Sequence, residues 1–335
     1  MENKDGKVTN TPANFLPRII WGGIILVVLV GFFALRLLSA YVFDVLLAAL
    51  IIISALEVEN VLHKMNRPTH TVAVALYPIL CFAMVAVAAN TGLHAGIALL
   101  FMVLAMFVLG VIIFAYPLIF VKAGRKAKER DSFEGSLLYY AFSKMINTLF
   151  VCLWPTLFFS FTFMLNHYNL LSASSYIEAF CNPEMGVDFG LFALVFLFAT
   201  TMAADTCAMM SGRFIGGPKI SLTKLGPGKS WTGLIGGIIG ATLMGMIIYF
   251  IFNAFYGYST LFSSLHYGAW TFLLGGFFAG VFNMTGDIFS SFFKRRAVIK
   301  DFSQLIPGHG GVMDRCNGLL VNSVFVFVFF IILFG

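Results

Sequence analysis

The chain has 335 residues, of which 60% are hydrophobic and only 11% charged, with 39 phenylalanines and a net charge of +6. Soluble domains carry roughly a quarter charged residues, so this composition excludes an ordinary soluble protein and points to one that crosses a membrane many times. The positive balance calls for no nucleic acid, because basic cytoplasmic loops and anionic lipid headgroups account for it.

Apolar runs long enough to cross a hydrocarbon core of about 30 Å lie at 18–38, 40–56, 71–90, 95–120, 143–165, 188–204, 232–254, 268–288 and 317–335. They predict an all-α polytopic membrane protein of about nine transmembrane helices. The first run is too long for a secretory signal and no small-residue cleavage site follows it, so a retained helix behind a cytoplasmic tail at 1–17 is expected. About five helices fill 18–190. A C-terminal transmembrane region is expected in 191–335, with two cytoplasmic loops at 204–231 and 287–315.

Orientation follows from the cations. All but two of the 21 Lys and Arg fall before the first span or after the second, fourth, sixth and eighth, which predicts a cytoplasmic N-terminus and an exterior C-terminus. The exceptions are Arg36 and Lys144. The run VKAGRKAKERDSFEG (121–135) reads as a solvated juxtamembrane loop. Five scattered cysteines, Cys81, Cys152, Cys181, Cys207 and Cys316, show no CxxC and no metal-ligand spacing, and read as buried free thiols.

In the later spans, Gly233 and Gly237, Gly236 and Gly240, and Gly276 and Gly280 recur at the four-residue spacing that lets helices approach closely. Packing explains these glycines. It does not explain Asp205 and Asp287, which end apolar runs at a depth where an unpaired carboxylate costs a few kcal/mol. A helix-end pair with Arg213 or Lys294 is the plain structural alternative. Asp314 adds a third carboxylate on the same side. Carboxylates converging on a Lys- and Arg-rich surface suit a hard cation that also binds phosphate, as magnesium does, and no His- or Cys-rich set suggests zinc.

The segment KRRAVIKDFSQLIPGHGGVMDR (294–315) carries the matching phosphate chemistry. Lys294, Arg295, Lys300 and Arg315 can neutralise a polyphosphate. Pro307, Gly308, Gly310 and Gly311 permit a tight loop whose N–H groups can approach phosphate oxygens, and His309 is a candidate donor. KLGPGKSWTG (224–233) is not a Walker loop, because Thr223 stands where the first glycine is required and no strand precedes it. Lys229 and Ser230 can still meet a phosphate at a helix N-terminus.

Ser291-Phe-Phe-Lys294-Arg295, Lys300-Asp301-Phe-Ser303 and Ile306-Pro307-Gly-His309-Gly310-Gly311-Val312-Met-Asp314-Arg315 together resemble, nearly throughout, the signature of the phosphatidate cytidylyltransferase family (CDP-diacylglycerol synthases). Gly286-Asp287, Ala204-Asp205-Thr206, Gly212-Arg213 and Lys229-Ser230-Trp231 resemble its neighbouring blocks. The resemblance is specific over about 200–318, whereas the first 190 residues agree only in hydropathy.

The resemblance implies a reaction of CTP with phosphatidate to give CDP-diacylglycerol and pyrophosphate. It implies magnesium, with a second monovalent or divalent cation, and a homodimeric, multi-pass protein of the inner membrane whose site faces the cytoplasm. Asp287 and Asp314 would be metal ligands. Asp205, Lys294, Arg295, Lys300, Asp301, His309 and Arg315 would be catalytic, with Asp205 supporting the metal or orienting the nucleotide. Arg213, Lys229, Ser230, Trp231, Ser291, Gly310 and Gly311 would bind substrate.

The chain resembles a divergent member. Thr232 stands where the family usually has Glu, Asn317 where it has Asp, Cys316 replaces an aliphatic residue, and Gly226 and Gly228 replace polar ones. The alternatives are a related CTP-using enzyme acting on another lipid phosphate or lipid alcohol, and a non-catalytic paralogue or transporter. Ionisable residues gathered in two loops, with no internal repeat, favour an enzyme.

Overall fold

The computed structural model describes residues 15–120, 136–172, 174–182, 184–218, 230–306 and 310–335. The run 121–135, expected above as a loop, lies outside the described residues, as do Lys229, His309, Gly226, Gly228, Pro307 and Gly308. Among the described residues, nine long helices follow one another: α1 (Phe15–Leu38), α2 (Ala40–Lys64), α3 (Thr71–Thr91), α4 (Ala95–Phe120), α5 (Leu137–Asn166), α6 (Phe189–Phe214), α7 (Trp231–Asn253), α8 (Ala269–Arg296) and α9 (Met313–Phe334). Among the described residues, α2 to α9 are eight helices long and apolar enough to cross a membrane, and α1 covers the first predicted run. The protein is an all-α polytopic membrane protein.

Several helices run further than their apolar cores. α2 continues past residue 56 to Lys64, α6 past 204 to Phe214 and α8 past 288 to Arg296, while α5 starts at Leu137, before 143, and α9 at Met313, before 317. Hydropathy marks only the stretch that suits hydrocarbon, whereas backbone hydrogen bonding carries a helix on until its ends are satisfied. Lys294, Arg295 and Arg296 in the last turn of α8 and Asp314 in the first turn of α9 suit the negative and positive ends of those helices. Asp205 and Asp287 therefore sit inside helices, and much of the two expected loops is helical.

α5 changes pitch at a π-helical segment, Cys152–Leu157, that contains Pro155; a proline there removes an amide donor and bends the axis. The bend turns Trp154 onto α8. Its ring centre lies 4.8 Å from that of Phe289 and 6.2 Å from that of Phe302, and Phe302 stacks on Phe293 at 6.0 Å. This aromatic cluster underlies the segment that leads from α8 to α9.

α6, α7 and α8 pack through their glycines, as the spacing predicts. A Cβ at Gly237 would stand 3.0 Å from the Ala204 carbonyl on α6, and one at Gly276 would stand 3.0 Å from Thr242 Cα on α7, so neither position tolerates a side chain at the present separation. At the far end of α6, Phe192 sits among Phe252, Phe262, Phe272 and Phe330 at 4.6 to 5.8 Å, in the tilted geometry aromatic rings prefer.

The two cations outside the charge asymmetry are both buried. Arg36, only 9% exposed, forks onto Asp188, with Nη2 donating to Oδ1 at 3.0 Å and Nη1 to Oδ2, while Nε donates to Asn166 Oδ1 at 3.0 Å. Lys144 Nζ lies 3.5 Å from the Tyr140 hydroxyl. Of the cysteines, Cys81 and Cys152 are buried and the other three half-buried, all as free thiols.

Candidate active site

α6, α7, α8 and α9 meet around one cavity of about 980 Å3. Helical spacing explains its acidic and basic wall. Asp287, Ser291 and Lys294 recur at intervals of four and three on α8 and so share one face; all three line the cavity. α6 supplies Asp205, Thr206 and Arg213, and the first turns of α9 supply Asp314, Arg315 and Asn317. Ser230 caps α7 at the rim by accepting from Gly233 N at 3.1 Å. Residues of the 204–231 and 287–315 stretches thus face one another across a single space.

Asp314 is held by three hydrogen bonds. Its Oδ1 accepts from Lys294 Nζ at 2.7 Å, and its Oδ2 accepts from the amides of Phe302 and Gly311, each at 2.9 Å. The pair is largely shielded, with the Asp314 side chain 4% and the Lys294 side chain 15% exposed, and Lys294 Nζ also stands 5.5 Å from the centre of the Phe302 ring. Across the cavity, Asp205 Oδ1 accepts from Asn283 Nδ2 at 2.8 Å. Asn283 is buried, and its own Oδ1 meets no donor among the described residues. Ser291 Oγ donates to the Asp287 carbonyl at 2.7 Å.

The sequence model of the cytidylyltransferase family matches residues 17–333. The chain belongs to the cytidylyltransferase family. Among its relatives, a phosphatidate cytidylyltransferase of Haemophilus influenzae is 39% identical over 146 residues, which is 43% of this chain and 48% of that protein. One from Brucella suis is 33% identical over 141 residues, 42% of this chain and 47% of that protein, and one from Rickettsia conorii is 34% identical over 135 residues, 40% and 56%. The chain spans about half the length of the curated relatives it matches.

In this member of the cytidylyltransferase family the cavity gathers Asp205, Arg213, Ser230, Asp287, Ser291, Lys294, Asp314 and Arg315. Trp231, Arg295, Lys300, Asp301, Gly310 and Gly311 lie outside its lining, and Trp231, Arg295 and Lys300 are exposed. The two glycine amides donate within their own loop, Gly310 to the Ile306 carbonyl at 3.1 Å and Gly311 to Asp314, instead of pointing at a ligand. Gly310 has φ +84°, a conformation that side chains other than hydrogen disfavour.

Two contributors carry no motif. Asn283 holds Asp205, and its only signal is a lone amide four residues before Asp287 in an apolar run. Glu57 on α2 is buried at 5% exposure and accepts from Ser303 Oγ at 2.6 Å, Val312 N at 3.0 Å and Met313 N at 2.7 Å. Its signal was the pair of acids in SALEVENV, just past the point where hydropathy ends the second span.

Among the described residues no three His, Cys, Asp or Glu side chains form a metal-holding group. Magnesium commonly takes only one or two carboxylates and completes its shell with water and substrate phosphates. Asp205 and Asp287 on the wall, with Asp314 beside Lys294, fit an ion that arrives with a polyphosphate. The cations Arg213, Lys294 and Arg315 around the same space can stabilise phosphate charge as it shifts during a transfer.

Proposed function

We propose that the chain is a phosphatidate cytidylyltransferase that makes CDP-diacylglycerol and pyrophosphate from CTP and phosphatidate, at a site opening to the cytoplasmic face of the inner membrane, as a homodimer. The observation that carries this reading is the single cavity in which carboxylates of α6, α8 and α9 face Arg213, Lys294 and Arg315. Membership of the cytidylyltransferase family and the likeness to phosphatidate cytidylyltransferases support it.

In this reading an oxygen of the lipid phosphate attacks the α-phosphorus of CTP. The bond from that phosphorus to the oxygen bridging it to the β-phosphorus breaks, and pyrophosphate leaves with the electron pair. Little covalent help is required, so positioning and charge neutralisation dominate. Arg213 and Arg315 grip phosphate oxygens in forked fashion, and Lys294 offers a compact charge to the departing pyrophosphate. Asp287, with Asp205 and Asp314, would hold magnesium and an accompanying second cation, which supply charge neutralisation when bound. Met209, Leu234, Met284 and Ile288, also on the wall, suit the glycerol and acyl end of a lipid.

Asn317 lines the cavity as an amide where the family usually has Asp, and this favours a second reading only for the lipid, namely a lipid phosphate other than phosphatidate. Purified protein incubated with labelled CTP, magnesium and a panel of lipid phosphates separates the two readings. CDP-diacylglycerol formation with stoichiometric pyrophosphate is expected. Absence of CTP-dependent turnover on every lipid phosphate would overturn both.

A further inference from the structure

A carboxylate inside a membrane-spanning helix is unfavourable unless its oxygens are bonded. Among the described residues, Glu57 meets that condition with donors from the connection between α8 and α9 and the first residue of α9: the Ser303 hydroxyl and the amides of Val312 and Met313. Two of the three stand at the start of α9, where the helix dipole also favours negative charge. Asp314 holds the neighbouring positions, since its Oδ2 takes the amides of Phe302 and Gly311. Phe302 precedes Ser303 and Gly311 precedes Val312, so the two carboxylates grip the same two strands of the loop, one residue out of step. Gly311 completes the fit, because a Cβ there would run into the Glu57 carboxylate.

We propose that Glu57 is a positioning residue for the transfer site. Acting through Ser303 and the first amides of α9, it sets the register of Phe302 and Gly311, hence the seat of Asp314 and the direction of Lys294 at the cavity wall. The second helix of the chain, far from any site motif in sequence, thereby supplies a part that the site needs. The activity arm of the test rests on the transferase reading; the exchange arm does not.

The test uses the full chain in nanodiscs, with amide hydrogen exchange and steady-state kinetics on the same preparations. Glu57→Gln keeps the volume but presents an amide NH2 where acceptors are required. Faster exchange is expected at 302–306 and 311–315, with the rest of the chain unchanged. Turnover per folded molecule should fall in kcat by about a hundredfold, the scale of a 1 Å misplacement, while KM for the lipid stays near wild type because the apolar wall is untouched. Glu57→Asp, which keeps the charge on a shorter arm, should lie between the two. Wild-type exchange at both segments, or faster exchange with wild-type kcat, would overturn the proposal. A wild-type protein without turnover would sink the transferase reading, and the exchange result would still decide the role of Glu57. If Glu57→Gln does not fold, Ser303→Ala removes one donor and leaves the carboxylate on α9; faster exchange at 302–306 with a lowered kcat is expected, and wild-type behaviour in both would overturn the proposal.

Discussion

Lys294 in the last turn of α8 and Asp314 in the first turn of α9 are joined at 2.7 Å across the loop that separates their helices. Sequence reasoning gave them separate tasks, a phosphate ligand and a metal ligand. Were both tasks theirs, the pairing would make them interdependent: a polyphosphate drawing Lys294 away would leave an oxygen of Asp314 free for the cation accompanying it. Neither charge lies unpaired in a poorly solvated wall before substrate arrives.

Asp287→Asn and Asp314→Asn should each abolish most magnesium-dependent turnover while the protein still folds. Asp314→Asn should in addition lower the thermal transition, since it weakens a charged hydrogen-bond set in which each bond is worth about 1.5 to 3 kcal/mol. Thermal unfolding in detergent alongside magnesium-titrated rates checks both outcomes. A wild-type transition in Asp314→Asn, or near-wild-type magnesium-dependent rates in either variant, would refute them.

Adding a carboxylate at Asn317 should strengthen cation binding. Its Oδ1 already accepts from Gly318 N at 2.8 Å, a bond that Asn317→Asp keeps while a negative charge is added beside the cavity. The magnesium concentration for half-maximal rate should fall, with the lipid product unchanged. Thr232→Glu should behave differently. Thr232 Oγ1 donates to the Gly216 carbonyl, which a carboxylate would repel, so this variant should lose stability without the gain in magnesium affinity.

The helix contacts can be tested away from the site. Gly276→Ala should destabilise the protein by about 1 to 3 kcal/mol, as overpacking does, because its Cβ would crowd Ala241 and Thr242. Gly268→Ala, with open space around the added atom, should stay within about 0.5 kcal/mol. Thermal melts of the two variants decide it.

Reporter fusions should place the segments after α2, α4, α6 and α8 in the cytoplasm and the C-terminus outside, as the distribution of Lys and Arg requires. A result putting the α6–α7 and α8–α9 connections on opposite sides would contradict the shared cavity.

Burial pushes the Cys181 thiol up to about 11, and the charge of Asp188 adds to the effect. The thiolate is the reactive form, so the protonated thiol prevails at neutral pH. Alkylation of Cys181, followed by peptide mass spectrometry, should be slow at pH 7 and accelerate about tenfold per pH unit until the thiol titrates. A rate already at its plateau at pH 8 would contradict the shift.

The membrane class, eight of the apolar runs and the loop motif around Asp314 were legible because each rests on local composition or short spacing. Asp205 and Asp287 were found for the same reason, as carboxylates in oily surroundings. The ends of α2, α6 and α8 were not, because hydropathy is blind to a helix that continues into polar surroundings. Glu57 and Asn283 escaped because their partners stand far off in sequence: Met313 is 256 residues from Glu57 and Asp205 is 78 from Asn283. Arg295, Lys300 and Asp301 share the motif yet not the wall: Arg295 follows Lys294 by one position on α8 and so turns to another face, and spacing along the connection after α8 does not say which way Lys300 and Asp301 turn.

The Arg36 fork has a consequence for how the chain is made. Asn166 and Asp188 lie 130 and 152 residues downstream of it, so at about 5 to 20 residues per second the arginine enters the membrane roughly 8 to 30 seconds before its carboxylate exists. During that interval the guanidinium must stay at the water interface or near lipid phosphates. The first helix can settle fully only when the start of the sixth arrives, which makes the closure of this ion pair a late checkpoint in membrane assembly.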